Sequence, residues 1–438
     1  MRYLLILAFF LRLAAGTEHD PAEVLSRAAR KVAATTRHIP NYTCVETVSR
    51  QYFRPAANTH PRGCEAVLQA RRHPTLDMDL RRFATDRLRL DVSMTRTGEI
   101  FSWVGANEFD DAGIGHVVRN GPVGTGAFGA MLFAVFESDV KTFAFLRNRV
   151  AGSRSLFEYS FQVPKPDSHY KVKVGDSWVY TAYSGTIRVD PETGDLVGIS
   201  VETAELPLAT GECMSTFDLQ FGTVRIGEAE FLLPKLAQQR FVSPTGDEVE
   251  NTTDFANCRE YRGESAVIFE EAPPTDGTRA RGAPPEPLPL PPGSRFSFEL
   301  TQPIPSDTAA AGDPFAGRLL QPIRDQKRKV LAPKGTVVAG HVLRLESHRM
   351  PPEVVIVLRP EALEINGSRT LLAATPDWPR AMTGLRSDDR RRMVFDLPQP
   401  GEEHSGVFRF PGEHALIPKG FQSDWRTVPS PTKADQGR

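Results

Sequence analysis

The segment GPVGTGAFG (121–129) decides between two folds, because Gly124, Gly126 and Gly129 stand at the G-x-G-x-x-G spacing of a dinucleotide-binding turn. That fingerprint works only inside a βαβ unit. It needs a buried strand before it, a helix after it, a parallel return strand, and an acidic residue about 20 positions on. Upstream, IGHVVRNGPV (114–123) is broken and polar-ended. Downstream, after a helical stretch near 127–137, KTFAFLRNRVAGSRSLFEYSFQV (141–163) alternates apolar and polar residues on both sides of a glycine turn, as an antiparallel hairpin does. The parallel unit is missing, so no nucleotide or other cofactor is expected. The glycines read instead as the entry to a helix, with Thr125 as N-cap and Met131, Leu132, Val135 and Phe136 on the face that packs against a sheet.

The same alternation extends outward in both directions. PAEVLSRAARKVAATTRH (21–38) has apolar residues at helical spacing behind a first-turn proline. After it, YTCVETVSRQYF (42–53), DRLRLDVSMTR (86–96) and EIFSWVGANEF (99–109) predict strands, as do the segments from HYKVKV (169–174) through TTDFANCREY (252–261). PETGD (191–195) supplies a tight reversal. The pattern predicts a mainly β fold of the α+β class: an antiparallel curved half-barrel over 20–270 with packed helices. A Pro-rich linker follows at 271–292, then a small β-barrel or sandwich over 293–428 and a loose tail at 429–438. Within the last part, VLAPKG (330–335) and ALIPKG (415–420) echo each other, which reads as a shared strand-to-turn motif.

MRYLLILAFFLRLAAG (1–16) joins a basic residue, a short apolar run and a small-residue end, the pattern of a secretory signal peptide. No later stretch reaches the roughly 18 apolar residues of a membrane helix, so the mature chain should be periplasmic or secreted without a transmembrane segment. Four cysteines suit an oxidising compartment as disulfides. Of the three possible pairings, Cys44 with Cys64 and Cys213 with Cys258 would each bridge neighbouring β segments. Lys and Arg number 53 against 54 Asp and Glu, so nucleic acid is not an expected partner. No metal site is expected, since no C-x-x-C or close Cys/His cluster occurs.

PNYTCVET (40–47), DRLRLDV with FSWVGANEF, GTGAFGAMLFAVF and GTIRVDPETGDLVGIS (185–200) give the region 20–270 a resemblance to the LolA-like lipoprotein-carrier fold, as it occurs in acidobacterial secreted proteins. The region 293–343 resembles the TrbI-type conjugal-transfer β-barrel, through its opening Gly293, the pair Ser306-Asp307 and a Pro-x-Gly turn before a glycine-ended strand. The first resemblance implies binding rather than catalysis, with an acyl chain or lipidated terminus held in an apolar half-barrel. Alternating aromatic residues are candidate liners: Phe101, Trp103, Phe143, Phe145, Phe157, Tyr159, Phe161 and Trp178. The ordinary burial of aromatic residues favours the simpler reading, that these rings fill a core against the helices.

Catalytic signatures are missing. Neither G-x-S-x-G nor H-E-x-x-H occurs. Asp110-Asp111 reads as a solvated turn, and all ten histidines read as ordinary. The expectation is a non-enzymatic periplasmic or secreted binding protein for a lipid or lipoprotein. An envelope scaffold that engages a protein partner through its C-terminal barrel is the alternative, and a secreted hydrolase stands behind both.

Overall fold

In a computed structural model, the described residues are 19–38, 42–56, 62–72, 79–260, 290–377 and 394–429, with short breaks at 96–97, 107–108, 111–112, 119, 152–153, 175–176, 205, 227–228, 326 and 366. The expected signal peptide, Asp111, the linker up to 289 and the tail from 430 lie outside them.

The amphipathic first segment folds as α1 (Pro21–His38). Asp20 caps it, its carboxylate accepting the Ala22 amide at 3.0 Å. Val24, Ala28 and Val32 bury one face of the helix. The alternating segments become β1 (Tyr42–Pro55), β2 (Leu80–Thr95), β3 (Gly98–Trp103), β4 (Ala144–Ala151), β5 (Arg154–Val163), β6 (Lys171–Val174), β7 (Ser177–Tyr180), β8 (Tyr183–Val189), β9 (Leu196–Ala204), β10 (Met214–Ile226), β11 (Ala229–Val242) and β12 (Glu248–Glu260). Apart from β6 and β7, these pair antiparallel in the order β4–β5–β8–β9–β10–β11–β12–β1–β2–β3. The result is an open, curved half-barrel with β4 at one edge. β6 and β7 form a separate two-stranded ribbon. One face of the large sheet buries Leu90, Phe101, Tyr159, Ile187, Ile199 and Leu219 in a single core with α1 and the helix after the glycine loop.

That helix departs from expectation. Following α2 (Cys64–Arg72) and the one-turn α3 (Ile114–Val117), it is the short α4 (Ala130–Phe133), running into a π-helical turn at Ala134–Ser138. Its N-cap position falls on Gly129, not Thr125. The free amides are taken instead by Glu99 of β3, whose carboxylate accepts from Gly126 at 2.6 Å, Gly129 at 2.9 Å and Ala130 at 3.2 Å. The glycine loop does bind an anion at a helix start, and the anion is the chain's own side chain. Met131, Leu132 and Val135 are buried as expected.

The cysteine pairing also differs. The bonds are Cys44–Cys258 and Cys64–Cys213. Sheet order explains the first, because β12 returns beside β1 and places residues far apart in sequence on adjacent strands. The second depends on α2 (Cys64–Arg72), a helix the alternation did not indicate. The amide of Gly63 donates to Pro244 O at 2.8 Å, which holds α2 beside the β11–β12 turn. Cys213 is bonded to the same region, its amide donating to Val242 O.

After the linker, the strands are β13 (Arg295–Leu300), β14 (Ile304–Pro305), β15 (Pro314–Leu319), β16 (Ile323–Arg324), β17 (Val330–Ala332), β18 (Val337–Arg349), β19 (Pro352–Ile365), β20 (Ser368–Leu371), β21 (Ala374–Pro376), β22 (Val394–Asp396), β23 (Gly406–Pro411), β24 (Leu416–Ile417) and β25 (Gln422–Thr427). Pairing runs β21–β25–β13–β15–β18–β19–β20 around a second core of Phe298, Phe408, Phe421 and Trp425, and the ladder is interrupted between β20 and β21. The Pro-Lys-Gly echo proves larger than a shared turn. Gly335 and Gly420 both take positive φ, at 85° and 82°, and donate at 2.8 Å to the carbonyls of Leu319 and Leu300. Those leucines end FAGRL and FSFEL, and each is followed by x-Q-P-I leading into β16 or β14, which pair with β17 and β24 of the echoed segments.

The two cores meet along a seam. β18 pairs with β2 at Glu346–Asp86, Ser347–Thr85 and His348–Ala84. Ala311 exchanges backbone hydrogen bonds with Arg87 and Arg89, and Arg89 forms an ion pair with Asp313. Gly312 passes so close that a Cβ there would lie 2.1 Å from Arg89 O.

Candidate functional site

Five of the eight candidate liners gather at the β4 edge. Register places Phe145 of β4 opposite Tyr159 of β5, on the core face of the sheet. Its ring meets those of Phe157 at 5.2 Å and Tyr159 at 5.5 Å, edge-on in both cases. Phe143 meets Phe161 at 5.8 Å and Phe136 at 5.6 Å. From Phe161 the row continues to Tyr183 at 6.1 Å, and from Tyr183 to Tyr170 at 5.7 Å. Phe157, Tyr159 and Phe161 are buried, whereas Phe145 is 45% exposed at the rim. The row is therefore apolar, packed beneath and open along the free strand.

The other three liners are placed elsewhere. Phe101 is buried in the core at the far edge, opposite Val92. Trp103 packs against the seam, beside Gly312. Trp178 lies on β7, outside the half-barrel, with half its surface in solvent. Its strand alternation was legible, but the ribbon's separation from the large sheet was not. The half-barrel interior next to the rings is occupied by α1 and α4, so the buried liners serve as core.

Two polar clusters stand out, one beside this row and one in the seam. At the Tyr183 end of the row, Asp139 is buried and accepts from Ser138 Oγ at 2.5 Å, Tyr183 Oη at 2.8 Å, the His169 amide at 2.9 Å and His169 Nδ1 at 2.6 Å. Burial alone would raise this carboxyl, but those hydrogen bonds outweigh it and hold Asp139 below the usual carboxylate range. The imidazole is thus fixed through Nδ1 while remaining largely exposed. It opens on a surface depression of about 530 Å³ with Lys165, Pro166, Ser168 and Tyr180. Among the described residues no hydroxyl is bonded to His169. The pair is separated by 30 residues, so no local spacing in the sequence could signal it.

The second cluster lies in the seam, around a cavity of about 140 Å³. Arg50 binds Asp86 through Nε at 2.7 Å and Nη2 at 2.6 Å, and donates to Asn120 O at 2.7 Å. Across the cavity, Arg344 binds Glu402 through Nε at 2.6 Å and Nη2 at 3.1 Å, and Glu346 through Nη1 at 3.1 Å. Each guanidinium engages all three of its nitrogens with fixed partners, the arrangement of a structural clamp. Among the described residues, no group of three or more His, Cys, Asp or Glu side chains is placed to hold a metal ion. Among the described residues, no helix is long and apolar enough to cross a membrane.

No family model matches this chain, and no curated protein matches it. Among solved structures it is similar, over its N-terminal part, to a LolA superfamily protein from Nitrosomonas europaea, at 12% identity and a TM-score of 0.26, covering 57% of this chain and 97% of that one. It is also similar to a DUF1329 family protein from Desulfovibrio piger, at 12% identity and a TM-score of 0.26, covering 57% of this chain and 98% of that one.

Proposed function

We propose that this chain is a non-enzymatic binding protein of the periplasm or extracellular space, which holds an acyl chain or lipidated partner along the aromatic row at the β4 edge. The observation that carries the reading is Phe145: a large apolar ring 45% exposed on a strand that pairs only with β5 among the described residues, continuous through ring contacts with Phe157 and Tyr159 beneath it. Such a strip offers an alkyl chain apolar contact without dismantling the core, and removing its surface from water favours binding by about 25 cal/mol per Å² before ordering costs. Two disulfides fit an oxidising compartment. Native mass spectrometry of the mature protein purified from its host envelope tests this. A retained mass equal to a fatty acid or lipid is expected, and a bare polypeptide mass from gently prepared samples would count against it.

A scaffold role for the C-terminal part has its own support. That core is filled by Phe298, Phe408, Phe421 and Trp425, so this part offers a surface rather than a cavity. It predicts that surface substitutions in the C-terminal part of the full chain abolish capture of an envelope protein and leave acyl binding unchanged.

A further inference from the structure

We propose that the β6–β7 ribbon, with the depression beside His169, docks the protein on the surface of a membrane rich in anionic phospholipid, taking a headgroup phosphate at Lys165 and His169. The ribbon is a separate two-stranded sheet. Lys171 pairs with Tyr180 and Lys173 with Trp178, so these four residues share one face, and all four are exposed. Trp178 and Tyr180 each leave 51% of their surface in solvent, and Lys171 Nζ sits 5.2 Å over the Trp178 ring. Val172 and Val179, directly paired on the opposite face, are half-buried. A soluble protein covers such rings when it can. Trp and Tyr side chains with lysines beside them match the headgroup layer, where rings rest at the boundary and ammonium groups meet phosphate.

Three further observations lie next to the ribbon. The turn Leu208–Thr210 lies against β6 and exposes Leu208 by 77%, an apolar side chain suited to shallow insertion. Lys165, Ser168, His169 and Tyr180 line the depression next to the ribbon, and buried Asp139 locks the imidazole in place. In the sequence, residues 165–180 hold Lys165, Lys171 and Lys173 against Asp167 and Asp176, so the segment keeps a net positive charge although the whole chain is near neutral. The Tyr170–Tyr183–Phe161 contacts then join this headgroup site to the aromatic row. The inference rests on the acyl-binding reading and adds the face through which a lipid is met.

Flotation of the mature full chain with vesicles tests it, using phosphatidylglycerol mixed into phosphatidylcholine against phosphatidylcholine alone, at low and high salt. Association with the anionic vesicles only, weakened by salt, is expected. Lys171→Glu with Lys173→Glu should lower the partition constant about tenfold or more, as should Trp178→Ala with Leu208→Ser, with Tm and binding of a fluorescent fatty acid unchanged. His169→Ala should weaken binding to the anionic vesicles alone. Equal association with both vesicle types, or variants that float like the parent, would overturn the proposal. So would saturable binding of inorganic phosphate without vesicle association, which would assign the depression to a free anion. If the acyl-binding reading alone is wrong, vesicle association persists with no fatty-acid binding.

Discussion

At the scale of single residues, the glycine loop shows how one stretch can satisfy a motif and serve another purpose. Gly126 holds φ at +104°, and a Cβ there would meet nothing nearer than 3.6 Å. Gly126→Ala should therefore cost about 1–3 kcal/mol through backbone strain alone, read by urea unfolding, while nucleotide binding stays unmeasurable in both proteins. Glu99, which caps the loop, shares the interior with Glu46. Burial and the neighbouring Glu99 push the Glu46 carboxyl well above its ordinary value, and burial also raises Glu99 despite its amide donors. Raised folded values mean that these groups favour the fold fully below the unfolded carboxylate value and that this contribution is lost as pH rises through the folded values. Glu46→Gln removes the ionisable member that lacks the amide cradle. The difference in Tm between variant and parent should grow from pH 4.5 upward and favour the variant at pH 7, by about 2–4 °C for each kcal/mol gained. Parallel Tm curves would refute this.

At the scale of elements, period-two alternation made most of the large strands legible, and three- and four-residue spacing did the same for α1, because each pattern is written within its own segment. Contacts across the sheet were not. Cys44 and Cys258 lie 214 residues apart and become neighbours only because β12 returns to β1. Proximity in sequence therefore favoured the wrong partners. The short Pro-Lys-Gly echo understated a repeated strand, x-Q-P-I and turn, since the matching hydrogen bonds to Leu300 and Leu319 appear only once the chain is folded. Peptide mapping without reduction should find Cys44 linked to Cys258 and Cys64 to Cys213. Replacing either pair by serine should cost about 5 kcal/mol, as loops of this length do in the chain-entropy description. Recovery of a Cys44–Cys64 peptide would contradict the sheet order itself.

For the whole molecule, the seam and the β4 rim have opposite characters. The β2–β18 ladder couples the two cores, and the buried Arg50–Asp86 pair, which joins β1 to β2, stands beside it where Asp86 lies opposite Glu346. Asp86→Ala leaves Arg50 buried with its charge uncompensated and should cost about 3–5 kcal/mol, seen in calorimetry as an earlier transition that begins to resolve into two. An unchanged transition would show that this buried pair carries no stability. The rim, by contrast, leaves a large ring uncovered, and the account of function rests there. The most direct test is titration of the mature protein with a fluorescent fatty acid, beside Phe145→Asp. Saturable binding by the parent and at least about a tenfold loss in the variant at unchanged Tm are predicted, since a charge in the strip costs more than the 1.4 kcal/mol that a factor of ten represents. No saturable binding by the parent, or equal binding by the variant, would contradict the assignment of the β4 edge as an acyl site.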